Sequence, residues 1–198
     1  MKIIAGALKG RRLVAPRGET TRPTADQVRI ALMDALAPWL PGAHVLDLFA
    51  GAGGVGLEAL SRGAAHATFV ERDARAVAAL RANVEALGVQ GSARIVRDDA
   101  TRALARLARA GARFDLVFLD PPYGSGLVED VLVALGEGGL TAPGAIVVAQ
   151  HFTKRAPPAQ AGILTAWRTR RFGETTLTFF RAGGYDSRAH ASAESPPP

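Results

Sequence analysis

Two periodicities of apolar and polar positions run along the chain. Val28, Leu32 and Leu36 belong to a set with the three- and four-residue spacing of a helix that faces a core, extending to Trp39. From residue 43 onward, short apolar runs alternate with longer helical patterns. The runs predict strands at His44–Phe49, Ala67–Glu71, Ala93–Arg97, Phe114–Asp120 and Ala145–Gln150, and the intervening patterns predict helices at Val55–Ser61, Ala74–Leu87, Thr101–Ala110 and Leu127–Leu135.

The strands at the centre of this alternation are apolar at every position. Leu116–Leu119 is one such run, which is typical of a parallel strand covered by helices on both faces. Strands that alternate with helices predict an α/β fold with a mostly parallel sheet. Near the C-terminus, Trp167–Arg171 and Thr175–Phe180 flank Gly173 and predict a closing antiparallel hairpin.

The N-terminal segment has a different pattern. Lys2–Ala5 and Arg12–Ala15 predict the two strands of a small β-hairpin, with glycines at the turn. Thr24 is expected to be the N-cap of the first helix. We therefore divide the chain into a basic arm (1–23), an α/β domain (24–182) and a polar, proline-rich tail (183–198) that we expect to be disordered.

Composition and charge narrow the class of protein. The 198 residues suit one domain, with 48% hydrophobic and 21% charged residues. The net charge of +6 favours a polyanionic partner. Only three of the 24 basic residues are lysines, and GC-rich codon usage also explains this preference for arginine. There is no cysteine, the four histidines are scattered, and no apolar run is long enough to cross a bilayer. We expect a cytoplasmic, monomeric protein without a metal site.

A glycine-rich loop follows the first strand of the domain. It reads Asp47-Leu48-Phe49-Ala50-Gly51-Ala52-Gly53-Gly54-Val55-Gly56. Gly51, Gly53 and Gly56 match the GxGxxG pattern, in which the backbone approaches a ligand at the start of a helix. We predict that Asp47, Phe49, Ala50 and the three glycines form part of a cofactor site, while a tight turn without a ligand remains the alternative.

Acidic residues end the next two strands. Glu71 can accept hydrogen bonds from both hydroxyls of a ribose, whether of NAD or of S-adenosylmethionine, while Asp73 caps the following helix. Asp99 and Ala100 are placed to contact an adenine amino group. A purely structural role for Asp99, as the N-cap of the next helix, is about equally compatible with the sequence.

Asp120-Pro121-Pro122-Tyr123 follows the fourth strand and favours S-adenosylmethionine over NAD as the cofactor. Two prolines hold the backbone extended and remove two N–H donors, so that the Asp120 carboxylate and the Pro121 carbonyl can both face a ligand as acceptors. Tyr123 adds an aromatic face. These groups suit a planar heterocycle with an exocyclic amine that attacks the methyl group of S-adenosylmethionine, and we assign catalysis to Asp120, Pro121, Pro122 and Tyr123.

The order of these motifs resembles class I methyltransferases, which have a seven-stranded, mostly parallel, Rossmann-like sheet. In particular, the chain to about Arg181 resembles the bacterial RsmD family, the 16S ribosomal RNA guanine-N2 methyltransferases. The resemblance is carried by Ile3–Gly6 with Lys9–Leu13, by Arg22–Arg29, by Asp47–Arg62 with Asp120–Tyr123, and by Phe172–Thr175. The chain departs from the family pattern in two places. Ile30–Met33 lacks the usual acidic residue after the arginine and has Met33 in place of a phenylalanine, and Gln150 replaces a glutamate that commonly ends the fifth strand.

The resemblance implies a substrate and further site residues. The cofactor would be S-adenosylmethionine, with Arg22 and Thr24 at the rim of its site. The partner would be 16S ribosomal RNA in a small ribosomal subunit, contacted by Lys9, Arg11, Arg12 and Arg29. Two alternatives stay open at this point. A DNA adenine-N6 or cytosine-N4 methyltransferase would use a motif like Asp120–Tyr123 to hold its target amine. An NAD-dependent oxidoreductase would use the glycine pattern and Glu71.

Overall fold

The computed structural model describes residues 1–16, 23–122, 126–137 and 139–183, and of residues 23–25 it describes only the backbone. The helices are α1 (Pro23–Leu36), α2 (Gly54–Ser61), α3 (Ala74–Leu87), α4 (Ala100–Arg109) and α5 (Leu127–Glu137). The strands are β1 (His44–Leu48), β2 (His66–Glu71), β3 (Ala93–Arg97), β4 (Phe114–Leu119), β5 (Thr141–Phe152), β6 (Gln160–Ala161), β7 (Leu164–Phe172) and β8 (Thr175–Ala182). Short 3-10 turns lie at Ala37–Trp39 and Gln90–Ser92.

One sheet contains all eight strands, in the order β3-β2-β1-β4-β5-β8-β7-β6. The first five in this order pair in parallel, and β5–β8, β8–β7 and β7–β6 pair antiparallel. The strand order reverses at β1, between β2 and β4, and such a switch point opens a crevice at the carboxyl ends of the strands.

Two apolar cores cover the two faces of the sheet. The first contains Leu32 of α1, Leu57 of α2 and Leu80 of α3, and the second contains Leu104 of α4 and Leu132 of α5. Every one of these five leucines is at most 1% exposed. The predicted α/β class with a mostly parallel sheet and a closing hairpin is confirmed. The predicted number of seven strands is wrong, because the two-residue β6 adds an eighth strand at the edge and is too short to show a period.

The start of the first helix also differs from the prediction. Pro23 is the first helical residue, so Thr24 lies inside the first turn and is not the N-cap. Proline suits this position because its fixed φ is helical and the N–H it lacks would have no partner within the helix. By contrast, Asp73 caps α3 as predicted, accepting the backbone N–H groups of Arg75 at 2.8 Å and Ala76 at 2.9 Å.

The N-terminal arm is less regular than predicted and is bound to the domain. Its two halves pair at an isolated antiparallel bridge between Lys2 and Arg12, flanked by backbone hydrogen bonds of 2.9 Å from Ile3 N–H to the Arg11 carbonyl and from Leu13 N–H to the Met1 carbonyl. Two other backbone donors of the arm are satisfied by α2: the buried carboxylate of Glu58 accepts Ile4 N–H at 2.8 Å and Ala5 N–H at 2.9 Å. Because buried donors must find partners, α2 fixes the path of the arm.

A second contact ties the arm to the glycine-rich loop. The buried side chain of Asn83, on α3, accepts the N–H of Val14 at 2.7 Å and donates to the carbonyls of Val14 at 2.9 Å and Ala52 at 3.0 Å. One amide group therefore joins the second half of the arm, α3 and the loop after β1.

Gly56 allows α2 to lie close against the sheet. A Cβ atom at this position would lie 2.3 Å from Cε1 of Phe69, a fully buried side chain of β2. No L side chain fits at that distance without displacing either the ring or the helix, which also carries the end of the glycine-rich loop.

We predict that Gly56→Ala lowers the free energy of unfolding by about 1–3 kcal/mol, the usual cost of overpacking a core. Gly91→Ala is the matched control, because a Cβ atom there meets nothing within 4 Å and the φ angle is not positive. Urea unfolding followed by circular dichroism measures both. Equal stability of the two variants would contradict the close packing of α2 on Phe69.

Candidate active site

A cleft of about 320 Å³ opens at the carboxyl edge of the parallel strands, where the switch point of the sheet places it. It is lined by Phe49, Gly51, Val70, Glu71, Arg72, Asp98, Asp99, Ala100, Asp120, Pro121, Pro122 and Leu127. These residues come from the ends of β1, β2, β3 and β4 and from the first turn of α5. The volume lies at the lower end of the range for small-molecule and cofactor sites.

The loop after β1 has an unusual backbone. Phe49 has a φ of 63°, the only positive φ of a non-glycine residue among those described. Gly53, the residue before α2, has a φ of 86°, and a Cβ atom on it would lie 2.4 Å from a methyl group of Leu80. Strained backbone of this kind clusters at ligand sites, where the surrounding structure holds it in place.

The carboxylate of Glu71 connects the first two loops. One oxygen accepts Gly51 N–H at 2.9 Å and the other accepts Asp73 N–H at 2.8 Å. A carboxylate has about four lone-pair positions, so both oxygens keep acceptor capacity toward the cleft. Glu71 thus holds the loops together and can still accept hydrogen bonds from a diol.

Asp47 lies behind the loop, inside the protein. It is 2% exposed, and one carboxylate oxygen accepts Gly56 N–H at 2.8 Å. Burial raises the pKa of Asp47 to about 7; the Gly56 hydrogen bond opposes this shift, and the charges of Asp120 and Glu71 add to it.

Two aspartates follow β3. Asp99 caps α4, accepting from the N–H of Thr101 at 3.0 Å and from its hydroxyl at 2.7 Å. The Thr101 hydroxyl is the main reason that the pKa of Asp99 is lowered. Asp98 also lines the cleft and pairs with Arg106 at 3.4 Å. Asp99 is therefore a helix cap, which is one of the two roles that the sequence left open, and it also lines the cleft.

Asp120 follows β4 on the opposite side of the cleft. Burial raises its pKa to about 7, while a hydrogen bond donated by the side chain of Gln150, near the end of the neighbouring β5, opposes the shift. An amide in place of the glutamate common in the family gives Asp120 a donor, where a second carboxylate would compete with it for a proton.

The structure divides the predicted site residues into three groups. Those that line the cleft are Phe49, Gly51, Glu71, Asp99, Ala100, Asp120, Pro121 and Pro122. Those behind it, which shape the loop instead of lining the cleft, are Asp47, Ala50, Gly53 and Gly56. Arg22, Tyr123 and the side chain of Thr24 lie outside what the structure describes.

Five further residues of this site were not predicted from the sequence. Val70, Arg72, Asp98 and Leu127 line the cleft, and Gln150 contacts Asp120. Arg72 and Val70 adjoin Glu71 in sequence, which is a usable signal. The position of Leu127 and the contact of Gln150 depend on how β4, β5 and α5 pack together, so no local pattern reveals them.

The predicted RNA contacts also divide. Lys9 and Arg12 are exposed on the arm. Arg11 is exposed too, but its guanidinium donates to the Ala86 carbonyl at the end of α3. Arg29 is not placed to contact RNA: it is 5% exposed, donates to the Lys2 carbonyl at 2.9 Å and pairs with Asp26 at 2.9 Å. It anchors the arm to α1 instead.

The charge inside the cleft opposes the charge of the whole protein. Four of the twelve lining residues are acidic, namely Glu71, Asp98, Asp99 and Asp120, and only Arg72 is basic. The pyrophosphate of NAD would meet repulsion here, whereas a sulfonium cation would be attracted. Glu71 for a ribose, apolar walls for an adenine and Asp120 near the reacting end together fit S-adenosylmethionine.

This fold and this cleft define a class I S-adenosylmethionine-dependent methyltransferase. The family model described as "Conserved hypothetical protein 95" matches residues 1–181. The ribosomal RNA small subunit methyltransferase D of Escherichia coli strain K12 is 35% identical over 91% of this chain and 89% of its own length. The chain belongs to this family.

Solved structures agree with that assignment. The yhhF protein of Escherichia coli has a TM-score of 0.83 and 34% identity, covering 93% of this chain and 99% of its own. A hypothetical protein of Thermus thermophilus has a TM-score of 0.77 and 34% identity, covering 90% of this chain and 98% of its own. Among the described residues, no helix is both long enough and apolar enough to span a bilayer.

We predict that the free energy of unfolding of the cofactor-free protein falls as the pH rises from about 4 to about 7. The pKa values of Asp47 and Asp120 are both raised to about 7 in the folded state, so the folded state binds more protons than the unfolded state in this range and loses that advantage as the pH approaches 7. Asp47→Asn, which keeps an oxygen to accept Gly56 N–H, reduces this dependence.

Urea unfolding at pH 5, 6, 7 and 8 measures the effect. Asp73→Asn is the control, because Asp73 is exposed at the start of α3 and its pKa is lowered, so that its contribution changes only in more acidic solution. An Asp47→Asn protein with the wild-type pH dependence would show that Asp47 is not one of the groups that titrate in this range.

Proposed function

We propose that this protein transfers a methyl group from S-adenosylmethionine to the exocyclic N2 amine of a guanine in the 16S RNA of the small ribosomal subunit. One observation carries the proposal: Asp120, Pro121 and Pro122 line the same cleft as Gly51 and Glu71. An acceptor set for an amine thus lies beside a site for a nucleoside. The name of the Escherichia coli relative supports small-subunit ribosomal RNA as the substrate.

On the cofactor side, we assign Phe49, Gly51, Glu71, Asp99 and Ala100 to direct contacts. Asp47, Ala50, Gly53 and Gly56 hold the loop that these contacts require. S-adenosylmethionine supplies a methyl group that is already activated by its sulfonium. The protein's contribution is therefore to position the amine, exclude water and accept protons.

On the substrate side, Asp120 and the Pro121 carbonyl accept the two amino protons of the base. The nitrogen lone pair then points out of the ring plane toward the methyl carbon. The N–C bond forms as the C–S bond breaks, sulfur keeps the bonding electron pair, and the surplus proton leaves through Asp120 or to water. Tyr123 is assigned to stacking the base, as the sequence predicts.

The RNA must present an unpaired guanine, since N2 of a paired guanine lies in the minor groove and is out of reach of a half-buried carboxylate inside the cleft. Lys9 and Arg12, exposed on the arm, are the candidate phosphate contacts. Arg11 contributes to the same surface from its position over α3, and Arg29 holds the arm in place. We propose that the protein acts as a monomer in the cytoplasm, on RNA within a small ribosomal subunit.

We predict that Asp120→Ala lowers kcat for methyl transfer by at least about 100-fold, because the amine loses its principal acceptor. Binding of S-adenosylmethionine, measured by calorimetry, stays within a few fold of wild type. Asp120→Asn keeps one acceptor oxygen and retains more activity than Asp120→Ala. Transfer of labelled methyl groups to small-subunit RNA measures kcat, and a DNA substrate tested alongside distinguishes the adenine or cytosine alternative.

An Asp120→Ala protein that methylates at the wild-type rate would contradict the role of Asp120. Equal or faster transfer to DNA would contradict the choice of RNA. Mass spectrometry of the nucleosides in the product identifies N2-methylguanosine or excludes it.

We predict that Lys9→Glu combined with Arg12→Glu weakens RNA binding and reduces its salt dependence, because two phosphate contacts become repulsive. Cofactor binding stays unchanged, since neither side chain lines the cleft. Filter binding between 50 and roughly 300 mM salt measures the effect. Wild-type affinity at every salt concentration would exclude the arm as an RNA contact.

A further inference from the structure

The closing hairpin contains an irregularity in its ladder. In the register of β7 with β8, Ala166 pairs with Phe180 and Arg168 pairs with Phe179, so Trp167 is an extra residue on β7. Such a bulge changes the direction of a side chain and recurs next to functional sites. Here it brings Trp167 onto the same face of the sheet as Arg168.

Ring contacts identify that face. Trp167 lies edge-on to Phe179, with ring centroids 6.1 Å apart, and to Trp39, with centroids 6.5 Å apart. Phe179 and Trp39 belong to the core on the side of α1, α2 and α3. The arm packs on this side as well, through Ile3 and Leu13. The hairpin face and the arm therefore lie on one side of the sheet.

The face is aromatic and basic. Trp167 is 36% exposed, and the guanidinium carbon of Arg181 lies 5.0 Å from the centroid of its ring. Arg168 is exposed, and Arg170 pairs with Leu177 of the same core, which places both arginines on this face. Neither β7 nor β8 contains an acidic residue. We call Trp167, Arg168, Arg170 and Arg181 the hairpin platform.

The platform lies in register with the active site. Leu119 pairs with Ala149, so Asp120 is level with Gln150; Gln150 pairs with Leu177, and Leu177 pairs with Arg170. Three strand spacings of about 4.8 Å place the Arg170 backbone roughly 14 Å from that of Asp120. This distance is too long for a contact with the target base itself and suits contacts with the nucleotides beside it.

We propose that the hairpin platform binds single-stranded RNA that flanks the target guanine, with a base stacked on Trp167 and phosphates held by Arg168 and Arg170. The inference rests on the proposed function and adds a second RNA surface to the arm. Guanidinium groups around one exposed ring, without a neighbouring carboxylate on either strand, match the charge and the π-faces of unpaired nucleotides.

The test compares three charge reversals on one strand. Arg168→Glu and Arg170→Glu lie on the platform, and Arg171→Glu is the matched control, because Arg171 pairs with Thr176 on the opposite face. Each variant is titrated with a labelled small-subunit RNA fragment that the wild-type protein methylates, over a range of salt concentrations. Circular dichroism and binding of S-adenosylmethionine confirm that each variant is folded.

We expect Arg168→Glu and Arg170→Glu each to weaken RNA binding by at least about fivefold at roughly 0.1 M salt, and to lower the slope of log K against log salt by about 1. Trp167→Ala weakens binding by a similar or larger factor without changing that slope, because stacking is not an ionic contact. In a Trp39→Phe background, the fluorescence of Trp167 is quenched when RNA is added.

If Arg168→Glu and Arg170→Glu both bind RNA as tightly as wild type and Arg171→Glu do, the proposal that the hairpin platform binds RNA is wrong. Unchanged RNA affinity together with weaker binding to intact small subunits would assign this face to a ribosomal protein and overturn it as well. The proposed function itself fails on a different result, namely that the wild-type protein transfers no methyl group to small-subunit RNA.

Discussion

The buried carboxylate of Asp47 accepts the backbone N–H of Gly56 and so fixes where α2 begins relative to β1. The position of α2 then fixes two other parts of the molecule. Before the helix, the glycine-rich loop is held against the cleft by the Glu71 carboxylate. Two residues after Gly56, Glu58 holds the arm by accepting two of its backbone N–H groups. The glycine-rich loop and the basic arm therefore share one short helix as their support.

The cleft and the outer surface of the arm and hairpin carry opposite charges. Carboxylates are concentrated inside the cleft, where they favour a cationic cofactor and an amine, and arginines lie on the arm and the hairpin, where they favour phosphates. The net charge of +6 is a sum over the whole chain and does not reveal this separation. Because the two fields have opposite signs, a polyanion is attracted to the protein but not into the cofactor site.

Local patterns predicted most of the elements and the part of the site that lies on one loop at a time. The α3 helix has the predicted bounds of Ala74–Leu87, and its cap is Asp73, because both depend on neighbours within four residues. The contribution of Arg29 was misjudged for the opposite reason. In sequence it is one more arginine beside a basic arm, and only the packing of that arm on α1 buries it.

The sequence by itself determined the class of fold, the order of the motifs and the residue types at the ends of the strands, since these depend on period, length and turn chemistry. Only the tertiary structure decided which of those residues face the cleft. It placed Asp47 behind the loop, set Gln150 against Asp120 and turned Trp167 toward Arg181 through a bulge. Each of these contacts depends on the pairing or packing of segments distant in sequence, so the pattern within a single segment cannot predict it.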